Sequence, residues 1–162
     1  MTNQVGYLAN AKATIRKTAI VGDKKDASTY IPADSMAWLK ELGVFLELDA
    51  LNKPINRDAY LVDDGLTDIR SNLSVKAFTA KRALPVKYFR VYYHQSPENL
   101  RRIEAEFNEV NSLFKSSRHL FMEFQEVHNK IVLTSYSIVG GQKMYMGDTV
   151  NYSVQAAITL PN

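Results

Sequence analysis

The side chains best suited to chemistry at neutral pH are three histidines, His94, His119 and His128. Together with nearby glutamates, three imidazoles could build a metal site or an acid–base site. Nothing in their spacing requires either site, and each histidine falls near the end of a predicted strand. We therefore predict no catalytic residue, no metal ligand and no cofactor. A small enzyme with a histidine-containing pocket is kept as a second alternative function.

Other familiar reactive motifs are missing from the chain. It has no cysteine, which excludes disulfides, thiol catalysis and cysteine-bound metals. The run Gly140-Gly141-Gln142-Lys143 lies between two predicted strands, without the helix that a phosphate-binding loop needs, and it predicts a turn. The acidic run 63–68 lacks the ligand alternation of a calcium loop and predicts a solvated turn.

Length and composition indicate an ordinary globular chain. It has 162 residues, of which 46% are hydrophobic and 23% charged, with a net charge of +3. This size favours a single domain over 1–162 with a substantial core, and no apolar run is long enough for a membrane span. Within it we expect an N-terminal arm over 1–25 and an acidic loop insertion over 52–68. The small net charge does not point to nucleic acid.

One predicted strand interleaves aromatic and basic residues. It runs from Val86 to His94, and stacking rings between cations are what a single-strand nucleic-acid platform needs. The same pattern also fits a central strand that packs on both faces. We favour packing and keep a nucleic-acid-binding module as the first alternative function. Its binding residues would be Lys87, Tyr88, Arg90, Tyr92 and Tyr93.

Charge is segregated along the chain. The acidic block, Asp34 to Asp68, holds eight acidic and three basic residues, a net charge of −5. The basic block, Ile69 to Arg90, holds six basic residues and no acid, a net charge of +6. Such blocks can neutralise each other within one chain, or they can meet between copies in a head-to-tail contact. The predicted subunit-interface residues are Lys76, Lys81, Arg82, Lys87 and Arg90 on the basic side, and Asp58, Asp63, Asp64 and Asp68 on the acidic side.

The elements that would position these residues include a long helix. Ser96-Pro97-Glu98 is typical of a helix start. Apolar residues then recur at spacings of three and four. They are Leu100, Ile103, Phe107, Val110 and Phe114. This pattern predicts an amphipathic helix over about 97–115, with Lys115 to Arg118 at its end.

Strands account for most of the remainder. Residues 149–160 alternate strictly between apolar and polar, and they predict a long half-buried strand. Residues 120–127 and 131–139 predict two more, with links too short for crossovers, so this meander is antiparallel. Upstream, we predict a helix capped at Asp34 or Ser35, followed by strands near 44–48, 59–62 and 73–79. The alternative to the first of these strands is that the helix runs on to Leu51. The fold class is therefore α+β, a mainly antiparallel sheet with one long amphipathic helix across a face.

The order of elements over Val86 to Asn162 resembles the tail-terminator and neck-ring proteins of tailed bacteriophages. The resemblance rests on the strand 86–94, the helix 96–115 and the meander that ends in the strand 149–160. It implies a homo-oligomeric, hexameric ring that caps the tail tube and joins it to the head connector. The implied partners are copies of this chain and neighbouring tail-tube or connector proteins, with no membrane and with nucleic acid only as a non-specific contact. The predicted function is a structural, non-enzymatic protein of a virion, assembled in the host cytoplasm.

Overall fold

A nine-stranded antiparallel sheet makes up most of the structure, a computed structural model that describes residues 2–56 and 58–161. Its strands lie in the order β2-β1-β9-β8-β7-β6-β5-β4-β3. The strands are β1 (Thr14–Val21), β2 (Lys24–Tyr30), β3 (Tyr60–Asp68), β4 (Leu73–Ala80), β5 (Val86–Tyr93), β6 (Leu100–Val110), β7 (Phe114–Val127), β8 (Lys130–Met144) and β9 (Thr149–Thr159). Every pair of neighbouring strands is antiparallel, and the final strand returns to pair with the first.

The helical elements are short, and those after β2 form the long connection between β2 and β3. The α-helices are α1 (Thr2–Asn10), α2 (Ser35–Glu41) and α3 (Gly43–Leu46). Two 3-10 helices, Glu47–Asn52 and Pro54–Asn56, follow α3. Asp34 caps α2 by accepting a hydrogen bond from the Ala37 amide at 2.8 Å, as its position in the sequence predicts.

The predicted long helix over 97–115 is wrong, and so is the fold class that depended on it. The segment forms strands β6 and β7, joined by a hairpin turn, and the three α-helices of the described residues are all short. Alternation explains the outcome, because Ile103, Ala105 and Phe107 point to one face while the polar residues between them point to the other. Neighbouring strands supply partners for that face: Ala105 lies opposite Leu120 in the ladder, and both are buried.

Two turns replace the predicted helix ends. The Asn111 side chain accepts hydrogen bonds from the amides of Leu113 and Phe114, at 2.8 and 2.9 Å, which closes the β6–β7 hairpin. Ser96 lies in the turn between β5 and β6, where its amide donates to the His94 carbonyl at 2.7 Å. Asparagine and serine favour such turns as strongly as they favour helix caps, and here the turn prevails.

The predicted meander of β7, β8 and β9 is confirmed. The short link between β7 and β8 is a turn at His128 and Asn129, both of which have positive φ. Three local predictions are wrong. Residues 44–48 are helical, and the acidic run 63–68, predicted as a turn, lies in strand β3. Gly140-Gly141 lies inside β8, where it forms no turn. Glycine is needed at 140 for a close approach, since a Cβ there would lie 2.7 Å from the Ser117 carbonyl oxygen and 2.8 Å from the Tyr152 hydroxyl.

The core lies between the sheet and the helical elements, which cover one face of it; we call this the covered face. Trp38 and Leu42 are fully buried there. The segment 1–25, expected as an arm, supplies α1 and β1 from its described residues, and Leu8 and Ile15 are fully buried. The segment expected as an acidic loop insertion, 52–68, ends in the edge strand β3.

Candidate functional site

The two charge blocks predicted to form an interface lie largely side by side within one chain. Strand β3, which carries Asp63, Asp64 and Asp68, pairs directly with β4, which carries Lys76. Asp64 and Lys76 form an ion pair at 2.8 Å, and this contact lowers the pKa of Asp64 and raises that of Lys76.

The remaining predicted interface residues make separate contacts. The Lys81 ammonium donates to the Asp58 carbonyl oxygen at 3.2 Å, and Asp68 accepts from the Ser71 hydroxyl. Asp63 and Arg82 are exposed and make no ion pair among the described residues. Arg57, a base of the acidic block, lies outside the described residues.

The aromatic-basic strand β5 sits inside the sheet between β4 and β6, with carboxylates beside its cations. Tyr92 and Tyr93 are buried, and the Tyr92 hydroxyl donates to Glu104 at 2.8 Å. Lys87 forms an ion pair with Glu106 at 3.1 Å, and Arg90 lies 4.9 Å above the Tyr88 ring. The rings are therefore used for packing, and the strand is not the open platform that single-stranded nucleic acid requires.

The three histidines do not converge. His119 lies on β7 with its Nδ1 3.4 Å from the Tyr88 hydroxyl, while His94 follows β5 and His128 forms the β7–β8 turn. Among residues 2–56 and 58–161 no group of three histidine or acidic side chains is placed to hold a metal ion. A histidine-containing pocket is therefore not formed by these three residues together.

A half-buried carboxylate that no pattern in the sequence indicates, Glu41, lies at the end of α2. Glu41 forms an ion pair with Lys17 of β1 at 2.6 Å and accepts hydrogen bonds from the hydroxyls of Tyr30 and Tyr136. Burial opposes ionisation, but these three donors outweigh it and lower the pKa of Glu41. Burial and the Glu41 carboxylate together raise the pKa of Tyr30 to about 12 and raise that of Tyr136 as well. The cluster joins α2 to strands β1, β2 and β8, so it acts as a clamp that fixes α2 to the sheet.

The uncovered face of the sheet carries a groove of about 630 Å³ that is lined mostly by polar and charged residues. One face of the five adjacent strands β1, β9, β8, β7 and β6 lines it, so the sheet is concave there. Arg102 of β6 lies at one side of the groove, 3.4 Å from Glu104 and 3.6 Å from Glu123. Arg102 balances only one of these two carboxylates, whereas Arg16, on β1 at the other side of the groove, has no ion-pair partner in the described part of the chain.

A second cavity, of about 420 Å³, is mostly apolar and lies on the covered face. Its roof is formed by α3 and the two 3-10 helices, and its floor by strands β3 to β7. The floor and inner wall include Phe45 and Met122, which are buried, and the rim includes Leu46 and Val62, which are 41% and 49% exposed. We call this cavity the apolar pocket.

The sheet also has two open edges. Strands β2 and β3 each have one neighbour, and they do not pair with each other. All seven residues of β2 are exposed, as are seven of the nine residues of β3. Exposed unpaired edges of this length are templates for pairing with another chain.

Comparisons with known proteins do not extend this description. Scans against protein-family models, against curated proteins and against solved structures found no match for the chain. In the described residues, no helix is both long enough and apolar enough to cross a membrane.

Proposed function

We propose that this protein is a non-enzymatic structural subunit that joins copies of itself edge to edge, β2 of one copy against β3 of the next. The observation that supports this most strongly is the pair of open, exposed edge strands at opposite ends of one continuous antiparallel sheet. Because the two edges differ, their contact is heterologous, and repeated contacts close into a ring or grow into a filament.

Charge favours pairing between unlike edges. Strand β2 carries two lysines and one aspartate, and β3 carries three aspartates, one of them already paired with Lys76. Opposite net charges attract β2 to β3 and repel β3 from β3, which selects the head-to-tail arrangement. The bulge at Gly65 divides β3, so the pairing segment is its first part, from Tyr60 to Asp64.

The backbone groups that would form the contact can be named on β2. The Gly22 amide donates to the Asn151 carbonyl oxygen of β9 at 2.9 Å. This bond fixes the alternation along β1, where backbone amides point in turn to β9 and to β2. By the alternation of an antiparallel ladder, the amides of Lys25, Ala27 and Thr29 then point to the open edge. Each new backbone hydrogen bond contributes about 0.5–1.5 kcal/mol.

The test is the mass of the protein in solution. We expect oligomers whose fraction rises with protein concentration and falls with salt, measured by sedimentation velocity. Ala27→Pro removes one outward amide without removing a bond to β1, so it should shift the protein toward monomer. Ala27→Ser keeps the amide and should assemble normally. A monomer at every concentration, or assembly unchanged by Ala27→Pro, contradicts the proposal.

The narrower proposal is a ring at the tail or neck of a bacteriophage, with tail-tube and connector proteins as partners in a virion. The sequence pattern of the final strands supports it, while the helix that was part of the resemblance is replaced by β6 and β7. Electron microscopy of the assembled protein tests it. We expect closed hexameric rings, and open filaments or simple dimers would contradict it.

A further inference from the structure

The apolar pocket is the place where the covered face is left unfilled. Leu8, Trp38 and Leu42 of the other helical elements are fully buried, but around this cavity several large side chains are only partly buried against the core. They are Leu51, Phe78, Phe89 and Ile103. A volume of about 420 Å³ lies within the range of small-molecule sites, which are mostly apolar with a few polar groups that set orientation.

The charge in the described lining of the pocket comes from a carboxylate, and its other polar groups are neutral. The lining contains the carboxylate of Asp49 and the amides of Asn52 and Asn56, with no lysine or arginine among the residues that the structure describes. Asp49 is exposed at the rim, where its Oδ1 accepts from the Asn52 amide at 3.1 Å. Its Oδ2 takes no hydrogen bond within the described residues and is open to a donor from outside.

We propose that the apolar pocket binds a small molecule with an aromatic or similarly compact apolar body and a protonated amine. The body lies between Phe45 and Phe89, and the amine pairs with Asp49. A carboxylate or phosphate in place of the amine would face the like charge of Asp49, and the described lining offers it no cation, so anionic ligands are disfavoured. The pocket is lined within one chain, so we expect it to bind its ligand in a monomer as well, although Val62 at its rim belongs to the pairing segment of β3.

Three probes that share a naphthalene body test the ligand chemistry: 2-naphthylmethylamine, 2-naphthylmethanol and 2-naphthoate. Isothermal titration of the full chain should show saturable one-to-one binding, in the order amine, alcohol, carboxylate. Asp49→Asn should weaken the amine about threefold to fivefold, the contribution of an exposed ion pair, and leave the alcohol unchanged. No saturable binding of amine or alcohol, or strongest binding of the carboxylate, overturns the proposal.

A matched pair of variants tests the location. Val62→Trp places a large ring at the rim of the pocket and should abolish saturable binding. Val139→Trp, at a valine of similar exposure on the opposite face of the sheet, should leave binding unchanged. If Val62→Trp does not fold, Leu46→Trp takes its place on the opposite rim. Binding that survives a folded rim variant overturns the assignment of the ligand to this pocket. Binding that disappears as the protein concentration rises also overturns it, because it would mean that another copy of the chain occupies the pocket.

Discussion

The covered face of the sheet has two halves that are packed very differently. Around α1 and α2, Trp38, Leu8 and Leu42 are fully buried, and the Glu41 carboxylate is held by three donors. Around the 3-10 helices, the same face leaves a cavity of about 420 Å³. The half around α1 and α2, which we call the closed half, is therefore tightly packed. The half around the 3-10 helices, the open half, leaves apolar surface that a ligand can cover.

The largest effect should come from the closed half. Trp38→Ala removes a fully buried indole packed among α1, α2 and the sheet, and it should lower the free energy of unfolding by about 3–5 kcal/mol. Chemical denaturation measured by circular dichroism gives this value. A loss below about 1 kcal/mol would show that the closed half tolerates cavities and would remove the contrast between the halves.

A matched pair of leucines compares the halves directly. Leu42→Ala, at a fully buried site, should cost about 3 kcal/mol, since it creates a new cavity. Leu51→Ala, at a side chain that already borders a void, should lower the free energy of unfolding by about 1 kcal/mol. This is close to the free energy of burying the lost methyl and methylene groups, because no new cavity is created. Equal losses in urea denaturation would mean that the pocket is as tightly packed as the rest of the core.

The Glu41 clamp should make the stability of the closed half depend on pH. Because the folded pKa of Glu41 is lowered from 4.5, its contribution is present above pH 4.5 and is lost as the pH falls through the folded value. Tyr30 has a folded pKa raised from 10.0 to about 12, so its contribution is lost as the pH rises through that window.

Glu41→Gln isolates this contribution. It should cost about 1.5–3 kcal/mol at pH 7, because hydrogen bonds to a charged group are lost, and the difference from the native chain should shrink below pH 4.5. Denaturation midpoints between pH 3 and pH 9 measure it. A constant difference across that range would show that the carboxylate is not ionised in the clamp.

The sequence revealed much of the sheet and little of the sites. Strict alternation over residues 149–160 predicts β9, because a half-buried strand leaves that pattern without help from distant residues. Residues 97–115 carry apolar spacings that fit a helix and an alternation that fits a strand, and pairing with β5 and β7 decides between them. The clamp joins Lys17, Glu41 and Tyr136, and the pocket joins α3 to five strands. Neither leaves a local pattern in the chain.

The smallest effect should come from the ion pair that anchors the open half. Arg118 of β7 donates to Glu47, the first residue of the 3-10 helix, through both terminal nitrogens, at 2.9 and 3.3 Å. Glu47 is more exposed than Arg118, so Glu47→Gln should cost only about 0.5–1 kcal/mol of global stability. The main effect of this substitution should be local, because the ion pair holds the roof of the apolar pocket against the sheet. Amide hydrogen exchange should therefore accelerate over 47–52 and stay unchanged over α2, and equal acceleration in both segments would mean that the two halves open as one unit.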